Sequence, residues 1–179
     1  YAASTNFDNR AITFNGGGEA TATGDDLVLT GGTFATADYN FDNSHDGSIQ
    51  LDGQGLITYT GLEPITSTIT TASVTLNYSA ASETIDVTQE GASTRVDSTA
   101  GEVTTFANPT TLLTINAGGG DDVIHVNTLA SGYAGLVVDG QGNADTVNLN
   151  SSLDLASLSV TGEAIHVRGD ITATGNVTF

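Results

Sequence analysis

Apolar residues along this chain fall in short alternating runs, and hardly anywhere at helical spacing. Ala11-Ile12-Thr13-Phe14, Leu27-Val28-Leu29, Ile49-Gln50-Leu51, Ile57-Thr58-Tyr59 and Val74-Thr75-Leu76 are of this kind. So are Ile85-Asp86-Val87, Leu113-Thr114-Ile115, Leu136-Val137-Val138, Leu158-Ser159-Val160, Ile165-His166-Val167 and Val177-Thr178-Phe179. A period of two puts alternate side chains on opposite faces of a strand, and the Gly, Asn, Asp and Ser that bound each run supply turns. Threonine, valine, isoleucine and glycine abound while helix formers are sparse, so residues 1–179 read as one all-β unit.

A longer regularity overlies the alternation. Thr114-Ile115-Asn116-Ala117-Gly118-Gly119-Gly120-Asp121-Asp122-Val123-Ile124-His125-Val126 reads as strand, glycine-rich turn, acidic pair, strand, and the unit returns 23 residues later as Val138 to Leu149. The pattern acid-x-(Ile/Val)-x-(Val/Leu) opens at Glu83, Asp122, Asp145 and Glu163, at intervals of 39, 23 and 18 residues, with a looser copy at Asp25 to Leu29. Parallel β-helices use coils of roughly 18 to 25 residues, each burying inward aliphatics against the coils above and below. The expectation is therefore a parallel β-helix (β-solenoid), with the 39-residue interval counted as two coils. A β-sandwich is the alternative, since several short strands at close intervals also fit it. Asp46-Gly47, Asp52-Gly53 and Asp139-Gly140 stand where either hairpin turns or solenoid corners can lie. The two ends echo each other, Thr172 to Phe179 against Thr21 to Val28, as one piece of a tandem array would and as low-complexity drift in a Thr/Gly-rich chain equally would.

Charge narrows the function classes. Aspartate and glutamate number 21 against three arginines (Arg10, Arg95, Arg168), with no lysine, for a formal charge of −18. Nothing here neutralises phosphates, so nucleic acid is excluded as a partner. Anionic membrane surfaces are disfavoured in the same way, and no apolar run approaches the ~18 residues of a spanning helix. The charge fits a soluble exterior, divalent cations or a saline medium. With no cysteine there is neither a disulfide framework nor a thiolate metal site. His45, His125 and His166 lie too far apart in sequence to suggest zinc. A chain that opens on Tyr1 and contains no Met reads as mature, or as excised from something larger.

Asp46-Gly47-Ser48-Ile49-Gln50-Leu51-Asp52-Gly53, followed by Ile57-Thr58-Tyr59-Thr60-Gly61-Leu62-Glu63-Pro64-Ile65, is distinctive, as is Phe106-Ala107-Asn108-Pro109-Thr110-Thr111 leading into the Gly118–Asp122 turn. From about Asp25 to Leu149 the chain resembles repeat units of very large secreted bacterial surface proteins of planctomycete and marine type. That resemblance implies an extracellular, adhesin-like or structural role, and brings no catalytic residues with it. Ala117 to His125 is also similar to the calcium-binding nonapeptide Gly-Gly-x-Gly-x-Asp-x-apolar-x of secreted toxins, and Gly140 to Asn148 keeps only Gly140, Asp145 and Val147 of it.

The candidate chemistry follows. Calcium takes six to eight oxygens, and Asp121, Asp122, Asp139 and Asp145 would supply carboxylates if the two turns stack. The bland reading of the same residues is a solvated acidic turn. Paired carboxylates also suit a polysaccharide lyase or hydrolase on the flank of a β-helix, but basic groups are confined to a few arginines and histidines, so no enzyme is expected. His125 and His166 share a repeat position and point outward on one face, as a stacked pair or as plain ladder positions. Tyr39, Tyr59, Tyr78 and Tyr133 are the candidates for a glycan- or surface-binding platform. Arg168-Gly169-Asp170 matches the tripeptide that integrins read, and also reads as a turn. Asn77-Tyr78-Ser79, Asn150-Ser151-Ser152 and Asn176-Val177-Thr178 are glycosylation sequons by pattern. The function expected is an extracellular structural or adhesive module at the cell surface or in the matrix. It forms a stiff rod that associates head to tail with itself into a fibre or sheath, with calcium as a possible stiffener.

Overall fold

Threonine-rich alternation produces strands, and among the described residues no other regular structure. The computed structural model describes residues 9–17 and 25–179, and among these there is no helix long and apolar enough to cross a membrane. The strands in chain order begin with β1 (Ile12–Asn15), β2 (Leu27–Leu29), β3 (Thr33–Phe41), β4 (Gly47–Leu51), β5 (Ile57–Thr60) and β6 (Ile65–Ser67). Next come β7 (Thr70–Asn77), β8 (Thr84–Glu90), β9 (Ser93–Ser98), β10 (Thr104–Ala107), β11 (Leu112–Asn116) and β12 (Val123–Val126). The last are β13 (Gly135–Asp139), β14 (Thr146–Leu149), β15 (Leu153–Leu155), β16 (Leu158–Thr161), β17 (Ala164–Val167), β18 (Ile171–Ala173) and β19 (Val177–Thr178).

Their pairing is that of a parallel β-helix. On one face β3, β7, β11, β13, β16 and β19 stack in parallel, each one coil after the last. On the facing sheet β8, β12, β14 and β17 do the same. A third, small sheet pairs β15 with β18. The register sets like on like. Tyr39, Leu76, Ile115, Val138 and Val160 form one column, and Ile85, Ile124 and Val147 form another, all fully or almost fully buried. Strands in a ladder lie about 4.8 Å apart, so each aliphatic side chain rests on its counterpart. Burial of one such side chain contributes about 1.5–3 kcal/mol, and the column repeats that gain at every coil.

One expectation is corrected. The 39-residue interval is one coil: Glu83 and Asp122, 39 apart, occupy neighbouring rungs. The extra length forms antiparallel strands that continue the same two sheets along the stack, β4 and β5 beyond β3 and β9 and β10 beyond β8. β8 turns back into β9 through Gly91 and Ala92, with Gly91 at φ +61 as a two-residue hairpin of this kind needs, and β10 pairs antiparallel to β9. In the preceding coil β3, β4 and β5 form an antiparallel meander, so Asp52-Gly53 marks a hairpin turn rather than a solenoid corner. β1 then adds in parallel to β5, and β2 to β6, extending both sheets at the N-terminal end. The parallel register carries the helix, and the antiparallel pairing of a sandwich is confined to β3–β5 and β8–β10. Of the likeness between the two ends, Thr21–Gly24 lie outside the described residues.

The column makes a sharp energetic contrast between the middle of the stack and its end. Ile115→Ala, at a fully buried rung, is expected to cost about 2–5 kcal/mol in urea unfolding. Val177→Ala, on the last coil and 43% exposed, is expected to cost less than about 1 kcal/mol. Equal losses at the two positions would contradict a core that runs through the coils.

Candidate functional site

The acid that ends each turn lands on one corner of the coil. Glu83, Asp122, Asp145 and Glu163 immediately precede or lead into the in-register strands β8, β12, β14 and β17, so they form one column. The bonding along it is directional. Asp122 Oδ1 accepts the backbone N–H of Glu83 at 2.8 Å, Asp145 Oδ1 that of Asp122 at 3.0 Å, and Glu163 Oε2 that of Asp145 at 2.7 Å. Each carboxylate thus satisfies a backbone donor of the coil before it, a group that must be paired when buried. Glu83, Asp122 and Asp145 are buried, and Glu163 is exposed at the last coil. Glu83 also accepts the hydroxyls of Ser98 at 2.6 Å and Ser79 at 3.4 Å.

The second oxygens of the inner pair have no such partner. Asp122 Oδ2 and Asp145 Oδ2 are buried without a hydrogen bond. Desolvation raises the Asp122 carboxyl above its ordinary range; the Glu83 N–H opposes this, and the charges of Asp145 and Asp121 add to it. Desolvation raises Glu83 too, against the pull of Ser98 and with a further push from Asp122.

The glycine-rich turns serve the stacking of these corners. Gly118 (φ +91) and Gly120 (φ +106) lie on the Tyr78–Ser82 turn so closely that a Cβ would meet Ser79 O at 1.9 Å and Ser82 N at 2.7 Å. Gly119 N donates to Ser79 O at 3.0 Å, and Asp121 N to Ser82 Oγ at 2.9 Å. In the next turn Gly140 leaves room for the Asp145 carboxylate, 2.4 Å from where its Cβ would sit.

Of the four aspartates expected to hold calcium, the corner brings Asp122 and Asp145 together. Asp121 is exposed and accepts the N–H of Ala144 at 3.1 Å, while Asp139 lies at the end of β13 and accepts that of Gln141 at 3.1 Å. Among the described residues no three or more His, Asp or Glu side chains are grouped so as to hold a metal ion.

Outward-facing rungs carry polar ladders that the repeat pattern did not disclose. Asn77 donates its amide to Asn40 at 2.9 Å and Asn116 donates to Asn77 at 2.7 Å, across coils. On the other sheet Asn127 donates to Asp86 at 2.8 Å and Asn150 to Asn127 at 2.9 Å. The 39-residue interval between Asn77 and Asn116 was the available signal, since it equals that of Glu83 and Asp122. His125 and His166 do share a column, but Asn148 stands on the rung between them, so they are not a stacked pair. Arg168 donates to Asn148 at 2.8 Å and to Asn150 at 2.5 Å, and the backbone of Gly169 presses on Ser151 and Ser152. Arg168-Gly169-Asp170 is accordingly a turn docked on the coil below. Tyr39, Tyr59, Tyr78 and Tyr133 are all buried, which removes them as a surface platform.

The stack ends without a cover among the described residues. Val167, Val177 and Phe179 are 46%, 43% and 59% exposed, although Leu149 and Leu158, the rungs beneath the first two, are buried. At the opposite end Ile12, Phe14, Leu27, Leu29 and Ile57 line an apolar cleft of about 150 Å³ between β1 and β2. Searches of protein-family models, curated proteins and solved structures found no match to the chain.

The buried acids set a pH dependence with a definite sign. Asp122 and Glu83 titrate above their ordinary values in the folded chain. Their contribution to stability is therefore fully present below the unfolded values, about pH 4, and declines as pH rises through the raised folded values. Melting temperature in chelator should rise as pH falls from neutrality through the raised folded values of these two carboxyls. Asp46 and Asp154, held low chiefly by hydrogen bonds from Asn43 and Ser131, oppose the gain in more acid solution. Asp122→Asn keeps the acceptor for the Glu83 N–H and removes the charge, so it should raise the midpoint at pH 7.5 by about 2–4 °C and flatten the profile. A calcium site would do the reverse: the ion would raise the wild-type midpoint and the substitution would abolish that rise.

Proposed function

We propose that this chain is an extracellular structural module: a stiff β-helical rod segment that adds to further copies end to end. The observation that carries the reading is the in-register stacking of the coils, whose buried columns run on to the last described strands: Val167 stands on Leu149 and Val177 on Leu158, and both are exposed among the described residues. β19 and β17 are the last strands of the two main sheets, and β1 and β2 are the outermost described strands at the other end of the same two sheets. Unpaired strand edges are templates for another strand. A second copy placed head to tail extends both sheets at once and brings an exposed aliphatic and aromatic tip to the apolar cleft beside β1. Such a contact is heterologous, so it propagates rather than closing. The placement outside the cell rests on the likeness to secreted surface repeats and on a charge of −18 that a saline medium screens.

The reading is tested by sedimentation and electron microscopy over a range of protein concentration. The wild-type chain should form unbranched rods whose length grows with concentration. Val177→Lys and Val167→Lys, which put charge on the exposed tip, should leave the circular dichroism spectrum unchanged and keep the chain monomeric. A wild-type chain that stays monomeric at every concentration and salt would overturn the proposal.

A further inference from the structure

We infer that the end-to-end contact is a strand exchange, in which Val177–Phe179 of one copy takes the place of β1 in the next. This deepens the stacking reading and rests on it. One observation of sequence and one of topology lead there. Ile12-Thr13-Phe14 in β1 and Val177-Thr178-Phe179 at β19 carry the same pattern, a β-branched aliphatic, then Thr, then Phe. The two are the outermost described strands at opposite ends of one sheet. Each pairs in parallel with its single described neighbour, β1 with β5 and β19 with β16. Ile12 stands opposite Ile57 and Phe14 opposite Tyr59, while Val177 stands opposite Leu158. A strand of this pattern set between β16 of one copy and β5 of the next therefore pairs on both edges, with Leu158, Val177 and Ile57 in one column.

The rung count calls for the replacement. The sheet that holds β3 and β7 has nine described strands, and the sheet that holds β8 and β12 has eight. β19 opens a coil whose rung on β17 no described strand supplies. Stacking that keeps both β1 and β19 adds nine rungs to one sheet and eight to the other. At about 4.8 Å per rung, the sheets then fall out of step by one strand at every joint. Letting β19 stand for β1 removes the surplus, and β2 of the incoming copy lands on β17. Leu27 and Leu29 then meet Ile165 and Val167. Asp25 comes to the acid corner next to Glu163, each two residues before its inward aliphatic.

β1 is held loosely enough to yield. Its inward Ile12 and Phe14 are only half-buried, whereas Ile57 and Tyr59, which they cover, are fully or almost fully buried. An apolar cleft of about 150 Å³ lies between β1 and β2, so β1 is not closely packed on that side. In the free chain β1 thus covers the strand edge that a second copy needs. The apparent affinity between copies is the intrinsic one reduced to the fraction of chains from which β1 has withdrawn.

The chain has no cysteine, so single introduced cysteines report contacts between copies. Thr13, Thr58 and Thr178 are exposed, outward positions on β1, β5 and β19. Thr178→Cys chains are mixed with Thr58→Cys chains, or with Thr13→Cys chains, at concentrations that give rods, then mildly oxidised and run on a non-reducing gel. Neighbouring rungs lie within disulfide reach, and rungs two apart, at about 10 Å, do not. Exchange links Thr178→Cys to Thr58→Cys and leaves Thr13→Cys unlinked. Phe14→Asp, which puts a charge on the inward face of β1, should lower the concentration at which rods appear severalfold. Adding Val177→Lys to that variant should restore the monomer, which separates rods from loose aggregation. Linkage to Thr13→Cys, or rods that form less readily in Phe14→Asp, means stacking with β1 in place: the exchange is overturned and end-to-end assembly stands. Rods that link at neither position overturn it as well. A chain that forms no rods fails the stacking reading itself, and the exchange with it.

Discussion

The structure depends on one constraint: a parallel coil sets each side chain directly above its counterpart, about 4.8 Å away. Whatever chemistry occupies a rung must tolerate a copy of itself or find a complement. Aliphatic side chains meet the condition without cost, as Ile85 on Ile124 on Val147 shows. Asparagine meets it because one amide both donates and accepts, which is how Asn40, Asn77 and Asn116 join into a ladder. Ionised carboxylates accept only, so an acid column cannot bond to itself. The chain resolves this by offset: each acid accepts a backbone N–H from the rung before it, and the N–H of that acid is accepted by the next. One oxygen per residue is satisfied, and the other, on Asp122 and Asp145, stays buried without a partner. The corner is thereby fixed in register at the expense of some stability when the acids are ionised.

The same constraint bears on where the surplus residues go. Neighbouring rungs are 37 to 39 residues apart at first, against 18 to 23 further on. The excess stays in the two sheets as additional antiparallel rungs: β4 and β5 lie between β3 and β1, and β9 and β10 between β8 and β6, with Ile49, Tyr59, Val96 and Phe106 buried in the same core. The result is a stack with two regions, mixed sheets toward the N-terminal end and purely parallel rungs toward the C-terminal end.

How much of this was legible follows from which signals are local. The alternating runs became strands because a period of two is local. β9 escaped notice because its inward positions are Thr94, Val96 and Ser98, and two polar residues of three hide the alternation. β3 was hidden similarly, its inward Ala37, Tyr39 and Phe41 being small or aromatic rather than branched. The acid repeat was visible as a spacing; that one oxygen of each acid accepts a buried backbone N–H of the neighbouring coil was not, because that pairing is made across coils. The count of coils went astray because the length of an interval does not say whether the chain winds twice or bulges once. A second feature at the same interval, Asn77 to Asn116, resolves it: two different residue types repeating at 39 argue for one shared coil.

Charge and apolar surface act in different directions on such a body, and their geometry bears on how the proposed assembly grows. The acidic side chains lie along the flanks and corners, so parallel rods side by side repel over their whole length. At about 0.15 M salt that repulsion reaches only ~8 Å, yet it suffices at contact distances between flanks. The last described coil differs, because there Val167, Val177 and Phe179 leave part of the aliphatic column exposed beside β17 and β19. Attraction is thus axial and repulsion lateral, a combination that favours single filaments over sheets or bundles. Added salt weakens the lateral term more than the axial one, because burial of apolar surface does not depend on charge. Side-by-side association of the rods is therefore expected to appear only as ionic strength rises, after end-to-end growth is already established.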